Sequence, residues 1–154
     1  MTCYAPLFAR IGYAQWNPDL IWFDEKQAYR TPNYFVQQMF AMNLGDYNIG
    51  MESNNDGKIY CQVSYDMGKQ ELIIKVVNVS SKEQEIKFNF SENWKVGAGP
   101  IKETVLTGKH PEDTNFMEKE VIKPQEKEIT LENGTYQVYP FSFSILRIML
   151  DTKQ

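Results

Sequence analysis

The sequence predicts a mainly β protein: an antiparallel β-sandwich preceded by one strand and one α-helix. Three observations predict it. From about residue 46 onward, short runs with apolar residues at every second position recur between Gly-, Asn- and Asp-containing turns, which is the grammar of a sandwich. Before that point, residues 31–43 carry apolar side chains at helical spacing. The chain also opens on Cys-Tyr-Ala-Pro-Leu-Phe-Ala, apolar on both faces, as in a strand covered on both sides.

Taken in order, the opening strand covers residues 2–9 and ends near Pro6, because proline cannot donate to a ladder. Asn17-Pro18-Asp19 signals a turn, and Leu20 to Phe23 is an apolar run too short for a helix. Thr31 suits a helix N-cap, Pro32 the first helical position and Gly45 the stop, while Phe35, Val36, Met39 and Phe40 form one stripe. The spacing predicts a helix over 32–43. The composition breaks at Gly45, which divides the chain into residues 1–45 and 46–154.

In the second part, Ile59, Cys61, Val63 and Tyr65 alternate on one face. Residues 71–90 read as the organising hairpin. Leu72, Ile74 and Val76 face one way in its first arm, Ile86, Phe88 and Phe90 in its second, with a polar turn at 80–83 and one wet face. Further strands are expected at 103–106, 121–122 and 129–131, with a polar loop over 109–119 and a turn at Asn133-Gly134. Residues 141–150 form a long closing strand whose apolar face changes between Ile145 and Leu146, implying a bulge or burial on both faces.

Composition excludes several function classes. The formal net charge is -4 and the lysines are scattered, so a nucleic-acid partner, which needs clustered Lys and Arg, is not expected. No run of about 18 apolar residues exists to span a membrane. The two cysteines, Cys3 and Cys61, sit in apolar contexts and read as buried thiols. His110 is the only histidine and lies in a polar loop, so neither a zinc site nor a Ser/His/Asp triad is expected. No metal and no cofactor are expected. The carboxylate pairs Glu83/Glu85, Glu112/Asp113 and Glu118/Glu120 fall in polar segments and read as solvated rather than catalytic. Asn54-Asn55-Asp56 is too short for an EF-hand calcium loop. Sequons occur at Asn78, Asn89 and Asn133. The aromatic residues Trp16, Trp22, Tyr29 and Tyr34 cluster early and Trp94 stands apart; such rings pack in cores or stack on sugars.

Tyr4-Ala-Pro-Leu-Phe8, Trp16-Asn-Pro-Asp-Leu-Ile-Trp-Phe-Asp24 and the segment from Tyr29 through Thr31-Pro-Asn-Tyr-Phe-Val-Gln-Gln-Met-Phe40 resemble the end of α-L-arabinofuranosidases of glycoside hydrolase family fifty-one. Val105-Leu-Thr-Gly108, Asp113-Thr-Asn115, Pro124 and the closing Pro140-Phe-Ser-Phe-Ser-Ile-Leu-Arg147 resemble that family's C-terminal sandwich. The resemblance implies a (β/α)8 catalytic barrel followed by a jelly-roll-like sandwich. Residues 2–8 would be the eighth barrel strand, residues 31–43 the eighth helix, and residues 46–154 the sandwich. The family's acid/base and nucleophile glutamates lie on earlier strands, and no Glu occurs in residues 1–24, so the resemblance implies no catalytic residue in this chain. Barrel active sites sit at the C-terminal ends of the strands, which makes Trp16 the residue expected near the sugar cleft.

The first functional expectation is therefore the C-terminal, supporting part of a retaining arabinofuranosidase. Its partner would be the catalytic N-terminal part of the same enzyme, its substrate an arabinose-containing polysaccharide. The resemblance suggests a periplasmic or secreted setting. On this view the helix stripe should lack its barrel neighbours, and the isolated chain should self-associate. The alternative is a self-contained carbohydrate-binding module using Trp94 or Trp16 as platforms. A protein-interaction sandwich is a third reading.

Overall fold

The computed structural model describes residues 4–54, 57–97, 99–117 and 119–151. Cys3, Asn55, Asp56 and Glu118 lie outside the described residues, and with them the readings made of Cys3, of the Asn54-Asn55-Asp56 loop and of the Glu118/Glu120 pair.

In chain order the elements are β1 (Phe8–Arg10), β2 (Ile21–Phe23), β3 (Ala28–Arg30), α1 (Pro32–Met42), β4 (Tyr47–Ile49), β5 (Ile59–Asp66), β6 (Glu71–Asn78), β7 (Gln84–Lys87), β8 (Ile101–Thr107), β9 (Gln125–Ile129), β10 (Thr135–Val138) and β11 (Ser142–Met149). Strands β1, β2 and β3 form a small sheet in that order, parallel between the first two and antiparallel between the last two. A six-stranded antiparallel sheet runs β4-β5-β6-β11-β8-β9, and β10 pairs with β7 in a separate two-stranded sheet. The molecule is mainly β, as the alternation predicts.

The opening strand is displaced from its expected place. It begins after Pro6, at Phe8, and only Ala9 is buried, while Leu7 and Phe8 are 58% and 55% exposed. Proline ends the earlier run, and among the described residues Phe8 stacks on Phe23 with ring centroids 4.6 Å apart yet stays more than half exposed. Two further short strands, β2 and β3, precede the helix.

The helix starts at Pro32 as expected, but Thr31 does not cap it with its side chain. The hydroxyl instead donates to the Leu20 carbonyl at 2.9 Å, tying the helix start to β2. The helix stops at Asn43, whose side-chain amide donates to the Met39 carbonyl at 2.9 Å. Gly45 is small for another reason: a Cβ there would lie 2.7 Å from Ser64 Cβ and 2.9 Å from the Tyr65 carbonyl oxygen. An isolated helix of eleven residues is marginal in water, so packing must hold α1. Phe35 and Met39 are buried against Ile73, Leu106, Phe143 and Ile145 of the six-stranded sheet, and Phe40 stacks on Phe143 with ring centroids 4.7 Å apart. The stripe expected to lack neighbours therefore has them at Phe35 and Met39; Phe40 stays 40% exposed.

This packing explains the other departure. The expected hairpin between residues 71–78 and 84–87 does not form. Strand β6 is flanked by β5 on one edge and β11 on the other, so no edge remains for β7. Both faces of β6 are buried: Leu72, Ile74 and Val76 in the sandwich core, Ile73 against the helix. Strand β7 crosses to the opposite layer, where Ile86 and Phe88 face that core. In β11 the same division sends Leu146 and Ile148 into the sandwich and Phe143 and Ile145 toward α1, with unbroken register and no bulge. The expected strand at 121–122 is loop, and the strand expected at 129–131 is β9, five residues ending at Ile129.

Arg147 closes the helix side of the sheet. Its Nε donates to Glu71 Oε2 at 2.7 Å, Nη2 to Asp66 Oδ2 at 3.0 Å and Nη1 to Asn43 Oδ1 at 2.9 Å. One guanidinium thereby joins β11, β6, the end of β5 and the C-terminal cap of α1.

Candidate functional site

Two loops face each other across an open hollow. The first runs from the end of β1 to β2 and contains Ile11, Asn17 and Pro18; the second links β8 to β9 and contributes residues 111–117. Together with Trp22, Tyr29 and the start of α1 they line an open cavity of about 730 Å³.

Local chemistry fixes each wall. The β2–β3 turn is held by Asp24, whose carboxylate accepts the Lys26 and Gln27 amides at 2.7 and 2.9 Å. Those amide bonds, first among the causes, hold the Asp24 carboxyl below its usual range. The turn sets the register that places Trp22 directly opposite Tyr29, so both rings lie on one face of the sheet. Burial pushes the Tyr29 phenol up. The opposing loop is wound around Asp113, which accepts the Lys109 and His110 amides at 2.7 and 3.0 Å; the His110 bond leads the causes that lower its pKa.

Two side chains fasten that loop to β3. Asn115 is 1% exposed; its amide donates to the Arg30 carbonyl at 2.9 Å and the Ile122 carbonyl at 2.7 Å, and its oxygen accepts the Ile122 amide at 2.8 Å. Glu120 receives Arg30 in a two-pronged grip, Nη2 to Oε2 at 2.6 Å and Nε to Oε1 at 2.9 Å, and also accepts the Arg30 backbone amide at 2.8 Å. The Arg30 side chain is the leading reason the Glu120 carboxyl is held below its ordinary range. The cavity walls are thus tied to each other and not merely adjacent. Glu120, read from the sequence as solvated, is half-buried and paired.

Trp16, expected near a cleft, is 61% exposed in the β1–β2 loop; its neighbours Asn17 and Pro18 line the cavity and it does not. Trp22 and Tyr29 are brought together there, whereas Tyr34 packs edge-on against Phe35. Trp94 meets Tyr65 edge-on at 5.4 Å and packs against the sandwich core. It borders a second, smaller hollow with Gln70, Asn93, Lys95 and Asp151. Glu83 and Glu85 are exposed, and Glu85 accepts the Gln137 side-chain amide at 2.7 Å. Burial raises the Cys61 thiol, which disfavours the thiolate. The sequon at Asn78 is closed, because that side chain is 1% exposed and donates to the Lys82 and Tyr139 carbonyls. Among the described residues no group of three or more His, Cys, Asp or Glu comes together to hold a metal.

Sequence reasoning missed Phe116 and the fastening roles of Asn115, which it quoted only within a family stretch, and of Glu120, which it read as solvated. The available signal was the apolar pair Phe116-Met117 inside an otherwise polar loop, since such residues in a long loop need somewhere to pack or something to touch.

Residues 1–142 match the family model described as the α-L-arabinofuranosidase C-terminal domain. The chain is 30% identical to "Alpha-L-arabinofuranosidase 1" of Arabidopsis thaliana over 160 positions, covering 99% of this chain and 24% of that protein. "Alpha-L-arabinofuranosidase A" of Aspergillus niger is 30% identical over 139 positions, 88% of this chain and 21% of the relative. An arabinose-bound GH51 α-L-arabinofuranosidase shares the fold with TM-score 0.85 and 26% identity over 96% of this chain and 24% of that one. A thermostable GH51 enzyme from Thermotoga petrophila, at 19% identity and TM-score 0.70, covers 84% of this chain and 31% of that one, and shows the fold alone. The chain therefore spans about a quarter of the length of the relatives it matches.

Proposed function

The chain belongs to the α-L-arabinofuranosidase C-terminal domain family, and from that premise we propose that it is the C-terminal, supporting part of a retaining α-L-arabinofuranosidase. The whole enzyme would remove terminal non-reducing α-L-arabinofuranosyl residues from arabinan or arabinoxylan. The observation that carries this reading is the family match over residues 1–142 in a chain that spans a quarter of its relatives. The remaining three quarters would hold the barrel and both catalytic glutamates.

Residues 1–45 would complete that barrel with its last strand and helix, and residues 46–154 would form the sandwich. The unpaired edge of β1 supports this division. Strand β1 is bonded only to β2 among the described residues, and Leu7, Phe8, Ile11 and Tyr13 beside it are exposed. A parallel edge with uncovered apolar residues invites another strand. Trp16, in the loop after β1, would then stand on the catalytic face, close to the sugar cleft. The packing of Trp94 against the core disfavours the reading as a self-contained binding module with that ring as platform.

The test is expression of the polypeptide with its upstream reading frame. The extended enzyme is expected to release arabinose from an aryl α-L-arabinofuranoside with retained configuration, and the 154-residue chain alone to release none. Activity in the short chain, or inactivity in a folded extended enzyme carrying both glutamates, would overturn the reading.

A further inference from the structure

We propose that Lys75 is an acylation site, its Nζ a nucleophilic amine that takes a small acyl group from an acyl phosphate. This holds or fails independently of the arabinofuranosidase reading, because it uses neither the cavity nor the β1 edge.

Lys75 lies in the middle of β6 and shares its face with Ile73, which packs against α1. It is 6% exposed, and a lysine so enclosed ordinarily has a carboxylate partner. Among the described residues the nearby carboxylates are taken by Arg147: Glu71 receives its Nε at 2.7 Å and Asp66 its Nη2 at 3.0 Å. The other Asp66 oxygen accepts the Lys69 amide at 2.9 Å. Directly opposite Lys75 stand Gln62 of β5 and Ile145 of β11, neither of them charged. The helix above carries no Asp, Glu, Lys or Arg. What it offers is the Phe40 ring, with the Nζ 5.9 Å from its centroid, near the outer limit of a cation–π contact. Arg147 stands opposite Ile73, which makes it the diagonal neighbour of Lys75 and adds a like charge.

An ammonium in this place loses water without gaining an anion, so the neutral amine is favoured. Burial first, and the Arg147 charge after it, lower the Lys75 ammonium from its ordinary value. A desolvated lysine beside another cation is the setting that turns this side chain into a nucleophile.

The amine is also reachable. Among the described residues the fully enclosed side-chain atoms without a partner belong to Asp19, Ser64, Glu103, Tyr136 and Ser144. The unpaired Nζ of Lys75 is not one of them, and Phe40 beside it is 40% exposed. An opening this narrow suits a two-carbon acyl group on a small leaving group. The Nζ lone pair attacks the acyl carbon, the bond from that carbon to the phosphate oxygen breaks, phosphate leaves with the electron pair, and the surplus amine proton passes to water. The product is a neutral amide, so the uncompensated charge beneath the helix disappears.

The test is partial acetylation of the folded chain by acetyl phosphate at about pH 8, followed by peptide mass mapping. The rate at each lysine is divided by its rate in the urea-unfolded chain, which removes local sequence effects. Lys75 is expected to exceed the exposed Lys69 and Lys82 by at least about three-fold on this scale. A ratio at Lys75 equal to or below theirs would overturn the proposal. A second measurement restores the missing anion. Gln62 is exposed and directly opposite Lys75, so Gln62→Glu places a carboxylate within reach of the Nζ. In that variant, with its near-UV circular dichroism unchanged, acetylation of Lys75 should slow by at least about three-fold while Lys69 and Lys82 keep their rates. A folded variant that acetylates Lys75 as fast as the parent would equally defeat the inference. The first comparison needs no substitution, so it decides the matter whatever the variant does.

Discussion

At the scale of single residues, backbone conformation and charge pairing make the sharpest demands. Gly134 has φ of +76°, and a Cβ there would sit 2.6 Å from the Phe88 carbonyl oxygen, while the Phe88 amide donates to the Gly134 carbonyl at 2.8 Å. Gly12 also has positive φ, at +81°, but open space around it. Left-handed backbone alone costs a residue with a side chain about 1 kcal/mol. Gly12→Ala should therefore lose about 1 kcal/mol and Gly134→Ala about 2–3 kcal/mol in urea denaturation, the difference being the collision. Equal losses would mean that the approach of β7 to this turn is not tight. The Arg30–Glu120 grip makes a pH-dependent contribution. Its folded-state carboxyl is held below the ordinary value of 4.5, so the unfolded chain takes up the proton first. The stabilisation is complete above the ordinary value and disappears as pH falls through the folded one. Glu120→Gln should flatten the fall in Tm below about pH 5 and leave its slope near neutrality unchanged.

At the scale of elements, the informative member is α1. Its eleven residues carry no charge and no side-chain cap, so its stability comes from the six-stranded sheet beneath it. Met39→Ala should cost about 2–4 kcal/mol by denaturant unfolding, as for other buried methionines. A loss below about 0.5 kcal/mol would mean that the helix is not docked on the sheet. The helix, β5 and β11 were legible because each signal is local: the Phe35 to Met39 spacing, the Ile59 to Tyr65 alternation, and the two-faced apolar run ending at Met149. The destination of β7 was not legible. The alternation of Ile86 and Phe88 specifies a strand with one buried face, but which sheet it joins depends on whether β6 has a free edge, and β11, more than sixty residues later, takes that edge. The candidate cavity was half legible for the same reason. Trp22 and Tyr29 advertise themselves as aromatics, whereas the grip of Asn115 and Glu120 on Arg30 spans 85 and 90 residues and leaves no periodicity behind.

At the scale of the whole molecule, the two ends of α1 face different obligations. Toward its C-terminus the chain is closed by Arg147, which gathers Asn43, Asp66 and Glu71. Toward the β1 edge it is open, with Leu7, Phe8, Ile11, Tyr13 and Trp16 exposed in one segment of the sequence. Cutting at the composition break would trade one exposure for another, because removing residues 1–45 strips Phe35 and Met39 from Ile73, Leu106, Phe143 and Ile145. Such a truncation should aggregate or unfold, although it retains the entire sandwich. The intact chain should instead remain folded and associate through the β1 side. Sedimentation velocity is expected to show concentration-dependent association that Phe8→Asp weakens, because a charge beside an unpaired strand edge discourages pairing. In the polypeptide extended upstream, where the same edge would be occupied, Phe8→Asp should instead destabilise the enzyme. A chain that stays monomeric at high concentration, or an extended enzyme indifferent to the substitution, would contradict the proposal that this edge pairs with an upstream barrel.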